Sequence, residues 1–368
     1  KILALVLFVL FVLQAILLPA QNNPCQKTTE GTDFRFGFME GRNFNEDHYV
    51  EITVSASTAT SFKITTGPEE TLFGEYTVDA NTPRRIKIPW ELAEATESEE
   101  IEPKGIHLIS EDPVNVYALS WGINTADVAL IYPVKSLGNE YFAMAYTPYD
   151  VNNPPSNSQF LIVATEDETQ VEITPSKVTD KYHPKDSTFT ITLNKGEVYQ
   201  VQSDNTNNPR RQGQGDLTGS HIRSGKPVAV YSGSISTTIP EGVCCWDYIS
   251  EQIPPVQSWG LEYFVVPLKS RREDRYRIMA ANDNTTVYIT GEQPFTLDRG
   301  EYKEMVFSYT DPKKILADKP VMVAQFSQSM NADKDFTGGN GDPFMIILSS
   351  SSQTKNDVTF VAYDSNQI

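Results

Sequence analysis

From Gly31 onward the apolar residues fall in short runs that alternate with polar ones and are rich in β-branched and aromatic side chains. Examples are residues 49–54 (YVEITV), 62–65 (FKIT), 171–174 (VEIT), 189–193 (FTITL), 228–231 (VAVY) and 287–290 (VYIT). Period-two alternation bounded by Gly, Pro, Asn and Asp predicts strands. Only residues 89–100 (PWELAEATESEE) read as helical, and that stretch is short and acidic.

The strands recur in sets. A small turn residue, an acid and an aromatic strand open each set: Gly31-Thr-Asp33-Phe34, Gly138-Asn-Glu140-Tyr141 and Gly260-Leu-Glu262-Tyr263, with Asn356-Asp357 a fainter fourth copy. Each then carries a segment that reads as a hairpin, aligned on Thr60, Thr169 and Thr285, and a turn that is clearest at Gly196 and Gly300. Each closes with a strand led by Pro113, Pro227 or Pro320, placed at the first strand position where a missing N–H costs least. His107 and His221 occupy matching places just upstream, as a residue kept for structure would. An interval of this length is too long for a solenoid repeat and suits small tandem domains. The predicted fold is therefore all-β, with three tandem β-sandwich-like repeats that a pseudo-threefold array would accommodate and a β-propeller as the alternative. The boundaries are 31–137, 138–259 and 260–355, followed by 356–368 as a returning strand or the start of a further unit.

Charge narrows the partners. The formal net charge is -18, which argues against nucleic acid, because nothing would replace the counterions that phosphate binding releases. The basic run at 269–277 is interrupted by Glu273 and Asp274 and reads as a solvated strand end. Residues 1–20 form a basic residue and a long apolar run ending in Pro19-Ala20, the pattern of a secretory signal peptide, with an uncleaved anchor as the alternative; 21–30 is a linker. No second segment is apolar and long enough to span a bilayer. The mature chain is thus expected to be secreted, or held at the cell surface. Export favours disulfides. The candidates are Cys25, Cys244 and Cys245, either as an adjacent Cys244–Cys245 ring or as Cys25 bridged to one of that pair.

The units differ most in the connection after the proline-led strand: 121–132, 235–254 and 328–342. Variable loops on a repeated scaffold are where binding usually resides. The second connection is the most distinctive, with Trp246, Asp247, Tyr248 and Glu251; these four and Trp121 are the candidate ligand contacts, against the reading that the loop only plugs one unit onto the next. Asp333, Asp335 and Asp342 lie among glycines without the spacing of a calcium loop, so no metal and no cofactor is assigned. Asn284-Thr285-Thr286 is an N-glycosylation sequon. No Gly-x-Ser-x-Gly, His-Glu-x-x-His, phosphate-loop or dinucleotide motif occurs, so the chain does not read as an enzyme.

The string KPVAVYSGS from Lys226, followed by EQIPPVQSWGLEYFVVPL from Glu251, resembles the IgGFc-binding protein N-terminal domain family, with Gly341-Asp342-Pro343 matching late in the chain. The resemblance covers most of 31–360. It implies an extracellular module of mucus-associated or surface proteins, brings no catalytic residues, and leaves Fc binding to particular members. Cys244-Cys245 stands where the family has a single cysteine. Larger members continue into cysteine-rich von Willebrand type D domains, none of which occurs in this sequence, which reads as a stand-alone form or a fragment. The function expected is recognition or adhesion toward an extracellular protein or glycoprotein, with mucin or matrix among the partners. A self-assembling structural element of a mucus or surface layer is the alternative.

Overall fold

The computed structural model describes residues 28–41, 48–123, 125–149, 156–204, 215–338 and 341–354. The leader, Cys25 and the 356–368 segment lie outside these residues. The chain is all-β, built as three curled sheets of the same design.

The first sheet contains β1 (Gly31–Phe36), β2 (Tyr49–Ser55), β3 (Thr60–Thr66), β4 (Thr71–Val78), β5 (Arg84–Ile88), β7 (Ile106–Gly122) and β8 (Thr125–Ile131). The second contains β9 (Gly138–Phe142), β10 (Ser158–Ala164), β11 (Thr169–Thr174), β12 (Phe189–Leu193), β13 (Val198–Gln202), β14 (His221–Thr237) and β15 (Asp247–Gln252), with the short β6 (Ile101–Glu102) added beside β13. The third repeats the order in β16 (Gly260–Val265), β17 (Glu273–Ala280), β18 (Thr285–Ile289), β19 (Phe295–Leu297), β20 (Tyr302–Ser308), β21 (Lys313–Phe326) and β22 (Met345–Ile347). None of the three is a four-stranded propeller blade.

One long strand organises each sheet: β7, β14 and β21, of 17, 17 and 14 residues. Its first half pairs with the opening strand and with the third (β1 and β3 in the first sheet), and its second half with the second strand and the last (β2 and β8). The register slips between the halves, opposite Gly31/Asp33, Glu140/Gly138 and Gly260/Glu262. Pro113, Pro227 and Pro320 fall inside that slip. They therefore do not start a strand: they sit at a bulge in mid-strand, where an absent N–H breaks no ladder bond.

The bulge also removes the hairpins expected at Thr60, Thr169 and Thr285. β2 and β3 are not paired with each other; each takes a different half of β7. The threonines instead fix the crossing. Thr169 and Thr285 donate to Glu166 O (2.7 Å) and Asn282 O (2.6 Å), and Thr60 Oγ1 accepts from Asp112 N (3.1 Å). The expected helix at 89–100 is only a 3-10 turn, Trp90–Leu92. Beyond it the backbone pairs with Phe38, and Glu94 is fully buried against His48 (2.5 Å) and Gly41 N (2.9 Å), which holds the segment extended.

A bent sheet encloses its core on one side only. Phe34, Phe36, Ile64 and Leu108 face Val50, Ile52, Val54 and Val116 in the first core, and the open side is filled by Leu161, Val163, Val198, Ala229 and Tyr231 from the back of the second sheet. The second core is closed in the same way by Met279, Ala281, Met322, Ala324 and Phe326 of the third. β10 is consequently buried on both faces, which accounts for its unbroken FLIVA run.

The opening glycines seat each sheet on the 3-10 turn that ends it. A Cβ on Gly138 would lie 2.6 Å from Pro255 Cβ, and Gly31 and Gly260 approach Pro133 and Ser350 in the same way. In the second and third sheets a tyrosine locks this contact. Tyr141 OH accepts from Gly138 N (2.8 Å) and donates to Val228 O (2.6 Å); Tyr263 does the same with Gly260 N (3.0 Å) and Val321 O (2.6 Å).

The matched histidines belong to a clasp between neighbours. His221 binds Glu140 (2.8 Å) and stacks on Phe142 (4.5 Å), and Arg299 from the next sheet's turn pairs with Glu140 and lies over the Phe142 ring (5.6 Å). Gly300, at φ 76°, packs against the same ring. One repeat earlier, His107 binds Asp33 (3.0 Å) and Glu70 (3.3 Å), Lys195 reaches Glu70 (3.9 Å), and Gly105 N donates to Gly196 O (2.9 Å).

Replacing Tyr141 by Phe leaves the buried Val228 carbonyl and the Gly138 N–H without their partner. Tyr141→Phe is expected to cost about 1–3 kcal/mol, read as a lower urea midpoint at unchanged slope; an unchanged midpoint would show that the tyrosine lock contributes nothing.

Candidate functional site at the seam of the first and second sheets

Two of the connections expected to be loops are shorter than the sequence suggests, because each contains a strand. β8 lies within 121–132, where it begins at Thr125, and β15 lies within 235–254. The remaining loop of the second connection is 238–246. Its base is tied to the third sheet's own connection: Ser329 N donates to Ile239 O (2.6 Å), Ser329 Oγ accepts from Ile239 N (2.9 Å), and Asn331 N donates to Cys244 O (3.0 Å). Cys244 and Cys245 are joined to each other in a disulfide, with Cys244 exposed.

The five candidate contacts divide by burial. Trp246 is half-buried at the end of this loop, and Trp121 is half-buried at the β7–β8 turn, stacked on Tyr49 (4.9 Å) with Lys87 Nζ 3.6 Å from the Tyr49 ring centroid. Asp247 and Tyr248 are buried and dock β15 against β8: Tyr248 N lies 3.3 Å from Thr125 Oγ1, and Ser250 N donates to Asp127 Oδ2 (2.9 Å). Glu251 follows on the same strand, half-buried. The tryptophans can therefore touch a ligand directly, whereas Asp247 and Tyr248 act on the loop from beneath.

This seam is rich in carboxyls that burial pushes up. Asp247 is raised to about 7, with Asp342 adding repulsion and Thr125 opposing it. Burial raises Glu40 to about 7 against the pull of Gln202, whose amide donates to it at 2.6 Å. Burial also raises Asp127 and Glu251, with repulsion from Asp247 adding to the first and repulsion from Asp127 to the second. Among the described residues no three His, Cys, Asp or Glu side chains are placed to hold a metal. Asp333, one of the acids that gave the third connection its calcium-loop character, is buried on Arg271 (2.9 Å) and accepts Arg272 N (2.8 Å).

Sequence reasoning passed over one group. Arg277, within the basic run at 269–277, is buried between the second and third sheets. It pairs with Asp216 (2.8 Å) and Glu304 (3.1 Å), donates to Ala145 O (2.8 Å) and lies 4.1 Å from the Tyr146 ring centroid. Burial alone would raise Asp216, but Arg277 and Thr218 hold it below the usual carboxylate range. Neither a binding patch nor a solvated end describes this run: Arg271 and Arg277 are interior. Nothing in the sequence marks it, because only the tertiary structure shows that β17 turns Arg277 toward the preceding sheet.

Comparison with known proteins decides the family. The model described as IgGFc binding protein matches residues 127–367, from within β8 through the second and third sheets. The chain belongs to the IgGFc binding protein family. The human protein named IgGFc-binding protein is 27% identical over 252 residues, covering 65% of this chain and 4% of its own length. This chain thus spans a small part of that relative. The first sheet up to Ala126 lies outside the matched residues.

Among the described residues no helix is long and apolar enough to cross a membrane.

A carboxyl whose pKa is higher in the folded than in the unfolded chain holds its proton more tightly when folded. The stability from Glu40 and Asp247 is therefore greatest below their ordinary values of 4.5 and 3.8, and is lost as pH rises through about 7. Glu40→Gln with Asp247→Asn should flatten the fall in melting temperature between pH 5 and 8 and stabilise the chain at pH 8 by about 1–3 kcal/mol. Parallel profiles for wild type and the double variant would contradict this assignment.

Proposed function

We propose that this chain is a secreted or cell-surface recognition module that binds an extracellular protein or glycoprotein without chemistry, through the 238–246 loop and the neighbouring Trp121 turn. The observation that carries the reading is the placement of two half-buried tryptophans at connections that adjoin across Thr125, on a scaffold whose own interior is closed. Half-buried aromatic rings give large contact area at small entropic cost, and rigid anchoring of the loop base lowers the cost of ordering it on binding. Anchoring at Ser329 and Asn331 supplies that rigidity here.

The family supports binding rather than catalysis, and the histidines at 48, 107 and 221 are engaged with carboxylates inside the packing. The human relative's name points to the Fc of IgG, which makes Fc one ligand to test beside mucins and matrix glycoproteins. Asn284 is exposed at a turn with φ 53°, which supports reading its sequon as a glycosylation site.

The test is an array of glycoproteins, IgG Fc and matrix proteins probed with the mature chain. Trp246→Ala and Trp121→Ala are each expected to weaken the strongest interaction by about tenfold or more, the cost of truncating an aromatic anchor. Binding that is absent throughout, or unchanged in both variants, would overturn the proposal.

A further inference from the structure

β8 and β15 lie side by side at the seam of the first and second sheets, each at the edge of its own sheet, and no backbone ladder joins them. Two aspartates bridge them instead, one in each direction. Asp247 of β15 accepts from the Thr125 hydroxyl and from Ala126 N of β8. Asp127 of β8 accepts from Ser250 N of β15 (2.9 Å). Each also accepts from the next N–H of its own strand, Tyr248 N (2.7 Å) and Val128 N (2.8 Å).

Among the described residues no lysine or arginine pairs with Asp127, Asp247 or Glu251. The groups that act on the two aspartates are acids: each on the other, Glu251 on β15, and Asp342 from the connection after β21. Tyr248 extends toward Glu40 and Glu94 of the first sheet, the latter held by His48. Arg271 reaches the Asp342 carbonyl oxygen (3.3 Å), but its charge is taken by the buried Asp333. The Tyr231 hydroxyl, buried and without a partner, ends in a small cavity lined by Asp127, Ser120 and Ser250.

We propose that this crossing is a pH-operated latch for the 238–246 loop: β15 stays on β8 while the aspartates are protonated and comes away as they ionise, freeing the Trp246 end of the loop from the Trp121 turn. Carboxylates that face other acids repel one another and lack the solvation of water, so charge at the seam favours its opening. The cavity at the Tyr231 hydroxyl admits water beside Asp127 as the charge forms. The loop's other end stays tied through Ile239 and Cys244 to Ser329 and Asn331, so opening moves Trp246 rather than the whole loop. Opening returns Asp247 from about 7 toward its ordinary 3.8. The opening equilibrium therefore rises about tenfold per pH unit from about pH 4 to 7 and levels off above that. The consequence for affinity rests on the recognition function proposed above, but the latch is measured without a ligand, so either can fail alone.

The test is hydrogen exchange on the full chain between pH 4.5 and 8, with rates corrected for the intrinsic pH dependence of amide exchange. Protection of the Tyr248 and Ser250 amides should fall at least about tenfold between pH 5 and 7 and then level off. Low urea should change their exchange little, the mark of local opening. Asp127→Asn with Asp247→Asn should reduce the fall to about threefold or less; the wild-type profile is decisive by itself if that double variant does not fold. A flat wild-type profile, a double variant that keeps the full wild-type fall, or exchange of these amides as steeply dependent on urea as that of β17 and β20 would each overturn the latch, the last because whole-chain unfolding would then account for it.

Discussion

A seven-stranded sheet bent once around a hydrophobic interior cannot close that interior by itself. The open side of the first core and of the second is covered by the back of the sheet that follows, through Leu161, Val163 and Tyr231 in one case and Met279, Met322 and Phe326 in the other. Each such side chain, fully buried, contributes roughly 1.5–3 kcal/mol. The other contacts between sheets depend on this closure. It brings the Lys195 and Arg299 turns onto their acceptor faces, buries the Asp127–Asp247 seam, and encloses Arg277 with Asp216. The three units are repeats in sequence but not independent domains in packing.

The repetition was legible because its signals are local. Gly31, Gly138 and Gly260 stand at a close approach that no side chain would fit, and each opens a strand that carries an acid and then an aromatic residue. What failed to show was pairing. Alternation gives the face of β2 and of β3 but not the partner, so two strands that divide β7 between them look like a hairpin. Likewise Pro113 resembles a strand start because its missing N–H is answered only by a bulge whose other side is Gly31-Asp33, far away in sequence. Arg277 was hidden for a related reason: the counterpart position in β10 is Leu161, and only the tertiary structure shows that a buried cation with Asp216 takes the place of an aliphatic contact.

The candidate site was legible in place and only partly in role. The second connection is distinctive in both sequence and structure, yet two of its polar residues, Asp247 and Tyr248, belong to the interior. Their sequence neighbours Cys244 and Trp246 reach the surface, and the almost wholly buried strand β15 begins directly after them at Asp247. In an acidic chain the carboxyls that matter are those that burial raises, and burial at a seam between sheets leaves no mark in composition. The family assignment fits a binding module.

Hydrogen exchange on a Leu161→Ala variant tests the closure of one core by the next sheet most directly. Leu161 belongs by sequence to the second sheet and by packing to the first core. The account predicts that amides of β2 and of the second half of β7 lose protection by about 2–4 kcal/mol, the cost of a cavity in a core. Loss of protection confined to β9–β15, with the first sheet unchanged, would contradict it.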